Sequence, residues 1–483
     1  MMKRRYKDQK GYITVYLSLM SGIIISLVTT VLYGARLQTI RFKTECVMNI
    51  GLESIFAEYH RQLLDQYGLL FIDSSYGTGN GSITNTKNRL MYYLNLNFRG
   101  STGNVILRDL TDIRADNAVL YETAYASDDF GEVLRYQIDR YMKIKYGIGY
   151  IPVFKGDIAD VEGRLNEFDG YDSDRRSKGE EVDSLMESIN AAREENEEPY
   201  SISNPADSVE YLSDSNVLFY ALGDVSELGL LSTDVTELIS HRKYKKGAGL
   251  RDDQDKPDGP DSKFLLIDYI YDKCGYYENE KDDSALLYEI EYLIEGKNSD
   301  IENMEEIAGK IFKIRYAVNM TYLLSDTAKQ SEAEALALAA TTAIGMPELT
   351  EAVKYTILFA WGYAESAKDL RILYDGHKLS AIKDDMSWNT PLSQLTDFKA
   401  HLNEYSISDG ELDYKAFLNI FLALESTQDI TMRLMDIMEM DIRKTPGNAA
   451  FCMDDQIYQL AGEANISSNF GYGCSIRRYY SYE

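Results

Sequence analysis

Carboxylate side chains give this sequence its nearest approach to a catalytic pattern. Two adjacent pairs, Asp384 with Asp385 and Glu305 with Glu306, have the residue types that general acid–base chemistry uses. Such chemistry needs both groups to face one substrate, whereas neighbouring residues on a helix point apart. We interpret both pairs as parts of solvated faces. We therefore predict that the protein is not an enzyme and has no catalytic residue.

Aspartate-rich stretches raise the question of calcium binding. An EF-hand loop needs oxygen ligands at positions 1, 3 and 5, glycine at position 6 and glutamate at position 12. Counting from Asp253, position 5 is Pro257 and position 6 is Asp258. In the stretch around Gly410, position 12 is Ala416. Neither stretch keeps the pattern, so we predict two solvated turns and no metal site.

The glycine pattern and the net charge argue against nucleotides and nucleic acids as ligands. The glycines at 77, 79 and 81 do not form the GxGxxG fingerprint of dinucleotide-binding loops. The chain has a formal net charge of −28, and such a surface repels phosphate groups. We predict no cofactor and no nucleic-acid partner, and the sequence identifies no small-molecule ligand.

Four cysteines and four histidines are scattered along the chain without a CxxC pair. Without such local spacing, a zinc site would need ligands gathered by the fold alone. Two alternatives stay open for the thiols: either they are unpaired and buried, or Cys452 and Cys474 form a disulfide outside the cell. The second alternative predicts that these two residues, which flank the C-terminal strands, lie close together.

The N-terminal segment decides where any such chemistry takes place. From Gly11 to Ala35 there is no charged residue. A helix of this length spans roughly 37 Å and can cross a hydrocarbon core of about 30 Å. Basic residues dominate residues 1–10, which places the N-terminus in the cytoplasm. We predict a single-pass protein of the cell membrane with an extracytoplasmic body.

A cleaved signal peptide is the alternative for this segment. Signal peptides have an apolar core of about 7–15 residues followed by small residues at the cut. This apolar run is longer, and Tyr33 stands where a small residue is wanted before a cut after Ala35. The helical period also continues without a break, through Leu37, Ile40, Thr44, Val47, Met48, Gly51, Ile55, Tyr59 and Leu63. This continuity favours a permanent anchor that runs into a long amphipathic helix.

The rest of the pattern predicts an α+β protein that is mainly helical. A small antiparallel sheet includes two C-terminal strands joined by a turn near Ser468 to Gly471. The predicted segments are a cytoplasmic tail (1–10), a transmembrane helix (11–35), a stalk helix with a mixed α/β region (36–169), a flexible acidic insertion (170–205), short helices with an Asp/Gly/Pro-rich loop (206–263), a helical domain (264–445) and a β-hairpin region (446–483).

The stretch "KGYITVYLSLMSGIIISL" resembles the N-terminus of TadE/TadG-like pseudopilins of tight-adherence (Flp) pilus systems. Those proteins begin with basic residues, a glycine, a short apolar lead and a membrane helix. Gly11 matches the glycine, and Tyr16 stands where the family has a glutamate that pairs with a new terminal amine. Because the tyrosine hydroxyl is neutral, it cannot replace that partner. We predict that the chain is not cleaved after Gly11.

Further stretches resemble an uncharacterised-domain family of envelope proteins from Gram-positive, Clostridia-type bacteria, found near such pilus genes. The stretches are "VLYGARLQTIRFKTECVMNIGLESIFAEYHRQLLDQYGLLFID", "LLYEIEYLIEGKNSDIENM", "FAWGYAESAKDLRIL" and the tyrosine-rich end. Together the resemblances imply a structural or assembly component with pilus or secretion-system partners. The alternatives are an anchored ligand-binding module and an ectoenzyme. The family has no known reaction to carry over.

Overall fold

The computed structural model describes residues 10–99, 112–147, 158–191, 217–223, 228, 231–343, 345–407, 409–469 and 471–482. Its helices are α1 (Lys10–Phe56), α2 (Arg61–Tyr67), α3 (Ile83–Arg99), α4 (Asp128–Tyr146), α5 (Ile158–Ala191), α6 (Val217–Leu222), α7 (Pro260–Lys273), α8 (Glu289–Glu295), α9 (Asp300–Ser325), α10 (Thr327–Ala343), α11 (Thr350–Tyr374), α12 (Tyr414–Leu424) and α13 (Thr427–Lys444). Its strands are β1 (Ile72–Asp73), β2 (Ile113–Tyr125), β3 (Gln456–Ser468) and β4 (Gly473–Ser481). The predicted class, mainly helical with a small antiparallel sheet, is confirmed.

The chain divides into two compact units that are discontinuous in sequence. The sheet unit comprises Met1–Leu134, Tyr244–Asp255 and Thr445–Glu483. The helical unit comprises Arg135–Lys243 and Lys256–Lys444. The segments predicted from the sequence are continuous stretches of the chain. A compact unit is defined by packing, so it can combine stretches that are far apart in sequence.

The sheet unit is built around β3, which pairs antiparallel with β1, β2 and β4. In this register Ala464 lies between Ala118 on β2 and Ile476 on β4. The predicted C-terminal hairpin is present, and the Ser468 amide donates to the Tyr472 carbonyl at 2.9 Å. Gly471 closes the turn with φ +73°, a left-handed conformation that glycine adopts without strain.

Helix α1 has 47 residues and two different halves. Every residue from 11 to 35 is exposed. The second half packs on the sheet and α3, with a buried face formed by Ile40, Thr44, Val47, Met48, Leu52 and Ile55. The predicted period is confirmed as far as Ile55. The helix then ends at Phe56, and Leu63 is buried on the separate helix α2.

The helical unit is organised around α9 and α11, whose side chains form a shared apolar core. Helix α11 follows a short turn at Pro347–Leu349 and is followed by Gly376 at φ +83°. Nearly all residues of α11 are buried, so this helix forms part of the core of the unit.

The acidic stretch 170–205 differs from the predicted flexible insertion. Its described part, up to Ala191, is the C-terminal portion of α5. Apolar residues of α5 pack on the core of α9 and α11: Phe168, Tyr171, Val182 and Leu185. These four apolar residues recur at helical spacing between charged residues. The prediction of a flexible insertion considered only the composition of the stretch and not this helical period. The remainder, 192–205, and the predicted tail at 1–9 lie outside the described residues.

Candidate functional site

Both tryptophans of the chain lie at one loop of the helical unit. We call residues 379–390 the anchored loop. The rings of Trp361 on α11 and Trp388 in the loop are 5.5 Å apart and perpendicular. Both indole N–H groups donate to the carbonyl of Thr390, each at 2.7 Å. This shared acceptor fixes the end of the loop against α11.

A buried network of charged side chains lies beneath the anchored loop. Lys383 Nζ is 2.6 Å from a carboxylate oxygen of Glu365 and 2.6 Å from one of Asp369. Arg315 from α9 donates through Nε to the second oxygen of Asp369 at 3.0 Å, and Asn319 donates to the same oxygen at 3.0 Å. All five side chains are buried. The network therefore joins α9, α11 and the loop through ionic contacts.

Burial and charge act in opposite directions on the carboxylate of Asp369. Burial alone would raise the pKa of Asp369, because it disfavours the charged form. The positive charges of Arg315 and Lys383 and the donated hydrogen bonds outweigh that effect, so the pKa of Asp369 lies below its ordinary value. The carboxylate is thus ionised at neutral pH and holds both cations in place.

The backbone of the anchored loop is held by contacts at its first residues. Leu379 and Leu412 form an isolated antiparallel bridge, with hydrogen bonds of 2.8 and 3.0 Å. Arg315 also donates to the carbonyl of Ser380 at 2.8 Å. One buried arginine therefore serves both the ion network and the loop backbone, and the loop is restrained before it reaches its tip.

The acidic pair of the sequence analysis, Asp384 and Asp385, lies in a turn of this loop and not on a helix. Asp384 accepts from the Ser387 amide at 2.9 Å, whereas Asp385 accepts from the Tyr322 hydroxyl at 2.7 Å. The two carboxylates therefore have separate hydrogen-bond partners. Sequence analysis singled out these two residues and missed the neighbouring Lys383.

The tip of the anchored loop presents two large apolar side chains to solvent. Ile382 is 78% exposed and Met386 is 83% exposed. Between them along the chain, Lys383 points inward and is 5% exposed. In this loop a charged side chain is buried and two apolar side chains are exposed. In most proteins charged side chains are exposed and large apolar side chains are buried.

A second buried carboxyl group, that of Glu291 on α8, lies among tyrosines. Its Oε1 accepts from the Tyr414 hydroxyl at 2.8 Å and from the Tyr277 amide at 3.0 Å. The rings of Tyr277, Tyr374 and Tyr414 pack together with centroids 5.1–5.8 Å apart. Burial is the largest effect on the pKa of Glu291 and raises it to about 7. The two hydrogen bonds lower this pKa by less than burial raises it, and the negative charge of Asp300 adds to the rise.

A true carboxylate pair occurs elsewhere in the helical unit, and sequence analysis did not find it. Asp441 and Glu289 flank Lys281, whose Nζ lies 2.8 and 3.5 Å from them. Backbone amides complete the site, because Ala285 donates to Asp441 at 2.8 Å and Gly275 donates to Glu289 at 2.8 Å. Burial, then the charge of Asp441, raises the pKa of Glu289. These partners make the pair a structural junction.

The other carboxylates of the sequence analysis are exposed. Glu305 and Glu306 lie on the solvent side of α9, as interpreted. Asp253 is exposed at a surface cleft of about 450 Å³ in the sheet unit, which it lines together with Glu122, residues 248–252 and Gln459. Arg251, which pairs with Asp253 at 2.7 Å, lies over the ring of Tyr479 in the same unit. This cleft is the sheet unit's candidate pocket for a small polar ligand.

The exposed half of α1 carries a groove between small residues. Ser18, Gly22, Ser26 and Thr30 recur every fourth residue and line it. The hydroxyl of Thr30 donates to the carbonyl of Ser26 at 2.8 Å, so the helix satisfies this polar group itself. Gly11 and Tyr16 lie on the exposed first turns of α1. Such a groove allows another helix to approach closely in a bilayer.

The structure does not bring Cys452 and Cys474 together, so the predicted proximity is wrong. Cys474 pairs with Ile466 on β3, ten residues beyond Gln456 at the start of that strand. Ten strand residues extend roughly 33 Å. Cys452 precedes Gln456 by only four residues, which cannot span that distance. No two of the four cysteines are joined by a disulfide in the structure, and Cys274 is buried.

Comparison with known proteins gives one finding. Residues 194–468, more than half of the chain, match a family of unknown function (DUF5702). The match covers the anchored loop, the buried network and all of β3, and it leaves out α1. No curated protein and no solved structure matches the chain.

Proposed function

The chain belongs to the family of unknown function DUF5702. From its architecture we propose that it is a membrane-anchored extracytoplasmic structural or assembly component without catalysis, associated with a tight-adherence-type pilus or secretion apparatus. The observation that carries the proposal is the division of α1 into an exposed apolar half and a half packed in a folded unit.

The exposed half of α1 has the properties of a membrane span. Among the described residues, α1 is the one helix long and apolar enough to cross a bilayer, and its most apolar window is not buried. A core helix of similar hydropathy would be covered by protein. A bilayer offers an equivalent cover for residues 11–35, because lipid tails solvate apolar side chains.

The continuity of α1 supports a retained anchor over a removed signal. The helix runs from Lys10 to Phe56, and its second half contributes Ile40, Met48 and Ile55 to the core of the sheet unit. The proposed membrane span and the part of α1 that packs in the folded body therefore belong to one continuous helix. The groove around Gly22 further supports an assembly role, because it provides a face for helix–helix packing within the membrane.

We expect protease added to intact, wall-stripped cells to digest the chain beyond about Ile40. The reason is that the basic residues before Gly11 retain the N-terminus in the cytoplasm. Immunoblotting with antibodies against the C-terminal strands reads out the digestion, and a cytoplasmic marker protein serves as the control for intact membranes. A C-terminal part that stays protected until detergent is added would contradict this topology.

We also expect the native membrane protein to keep residues 1–11. Tyr16 replaces the glutamate that neutralises the new amine of a cleaved pilin, so a chain starting at Tyr12 would lack that partner. Mass spectrometry of the N-terminal peptide from purified membranes measures this. Recovery of a mature chain beginning at Tyr12, methylated or not, would make the protein a minor pseudopilin.

An anchored ligand-binding module is the second candidate function. The cleft beside Arg251 and Gln459 favours it, because it combines a charged group with a concave surface. A small polar molecule that protects the protein against thermal unfolding, and loses this effect in Arg251→Ala, would favour the module over the assembly component. Protection that persists in Arg251→Ala would assign the ligand to another place.

A further inference from the structure

We infer that the tip of the anchored loop, formed by Ile382 and Met386, docks a second protein. The partner surface is an apolar pocket bordered by lysine or arginine residues. This inference concerns the helical unit alone and does not depend on the membrane anchor or on a pilus. It rests on three features of the loop, namely exposed apolar groups, restraint from below and the charge around the tip.

The first feature is the exposure of two apolar side chains at one place. Ile382 and Met386 are 78% and 83% exposed, and they belong to the same short turn region. Single exposed apolar side chains are ordinary on protein surfaces. Two exposed apolar groups in one short loop can act together as anchor residues of a protein interface, where methionine is enriched, because each can fill a pocket on the partner.

The second feature is the restraint of the loop. Lys383, the residue beside Ile382, is held by Glu365 and Asp369 at 2.6 Å each. On the other side of the tip, Ser387 is buried and its amide donates to Asp384 at 2.9 Å. The tip is therefore ordered before any partner arrives. A loop ordered in advance loses less conformational entropy on binding, which favours affinity.

The third feature is the charge that the tip presents. The lysine nearest to it in sequence, Lys383, is buried, and Lys329 lies over the ring of Trp388 at 4.8 Å. Two carboxylates, in contrast, are exposed between Ile382 and Met386. Asp385 is 80% exposed and forms an ion pair with the largely buried Lys329 at 3.8 Å, while Asp384 accepts from the Ser387 amide. Acidic groups around an apolar tip disfavour anionic lipid headgroups, and they favour a protein partner with basic residues around its pocket.

The test uses the full-length chain expressed in its native cells. Photoreactive p-benzoylphenylalanine replaces Ile382 or Met386, and the matched control replaces Ile407, which is 62% exposed in the same unit. After irradiation, mass spectrometry identifies each adduct and maps the attached peptide. We expect one protein adduct from both tip positions, attached at a peptide with apolar residues and nearby lysine or arginine, at least tenfold above the control.

A second measurement separates docking from folding. With the identified protein purified, the double variant Ile382→Ser/Met386→Ser should bind at least tenfold more weakly, while Ile407→Ser should bind like the native chain. Tryptophan emission should stay unchanged in both variants, because Trp361 and Trp388 report on the loop. Equal adducts from the control position, adducts with lipid or with a second copy of this chain, or no adduct at all would overturn the inference.

Discussion

Replacing Lys383 by methionine is expected to destabilise the helical unit by about 3–5 kcal/mol, the range for breaking a buried ion pair by removing one partner. Methionine keeps most of the length of the side chain and removes its charge. Asp369 would keep Arg315 and Asn319, whereas Glu365 would lose its cation at 2.6 Å and keep the hydrogen bond from the Asn389 amide. A buried carboxylate without its ion-pair partner is the main source of the expected loss.

The measurement is urea unfolding followed by tryptophan emission, because Trp388 lies in the loop that Lys383 anchors and Trp361 packs against it. Lys378→Met is the matched control, since Lys378 pairs with Asp413 at the surface with its side chain 55% exposed. We expect the control to change stability by less than about 1 kcal/mol. Adding Glu365→Gln to Lys383→Met should restore part of the loss. Equal effects of the two lysine substitutions would contradict an anchoring role.

Replacing Glu291 by glutamine is expected to flatten the pH dependence of stability between about pH 4 and pH 7. Burial raises the pKa of Glu291 to about 7 in the folded protein, against roughly 4.3 in an unfolded chain. Between these values the folded state keeps a proton that the unfolded state releases. The stability contributed by this group therefore falls as pH rises through the window, by roughly 4 kcal/mol in total.

Glutamine removes this titration and keeps an acceptor for the Tyr414 hydroxyl and the Tyr277 amide. At pH 8, Glu291→Gln should therefore equal or exceed the native protein in stability, whereas at pH 5 the two should differ little. Urea unfolding at both pH values measures the difference. Glu305→Gln, on the exposed face of α9, controls for the loss of one charge. Parallel pH profiles of native protein and Glu291→Gln would reject the raised pKa.

The sequence predicted the elements whose signal is local and periodic. The apolar period of α1 extends through Ile55, and the two-residue alternation with a glycine turn at Gly471 predicted the hairpin of β3 and β4. Residue period alone determines which face of such elements is buried. The predicted proximity of Cys452 and Cys474 was wrong because it neglected the length of β3. Cys452 lies before the start of this strand, whereas Cys474 lies opposite its far end.

The anchored loop could not be predicted in the same way. Lys383 lies in a stretch that reads as a polar surface turn, and its partners Glu365 and Asp369 belong to a helix whose apolar run they interrupt. Only the fold brings a lysine and two acids from separate elements to 2.6 Å. The interruption of an apolar helix by Glu365 was visible in the sequence, and it is the signal that a buried counter-charge was required.

The central position of β3 has a consequence for how the protein is made. Strand β2 ends at Tyr125 and its partner β3 begins at Gln456, so more than 300 residues must be synthesised between them. At about 5–20 residues per second this takes on the order of tens of seconds. During that interval the second half of α1 and strand β2 have no completed sheet to cover their apolar faces, and we expect a chaperone to occupy them until the last strands arrive.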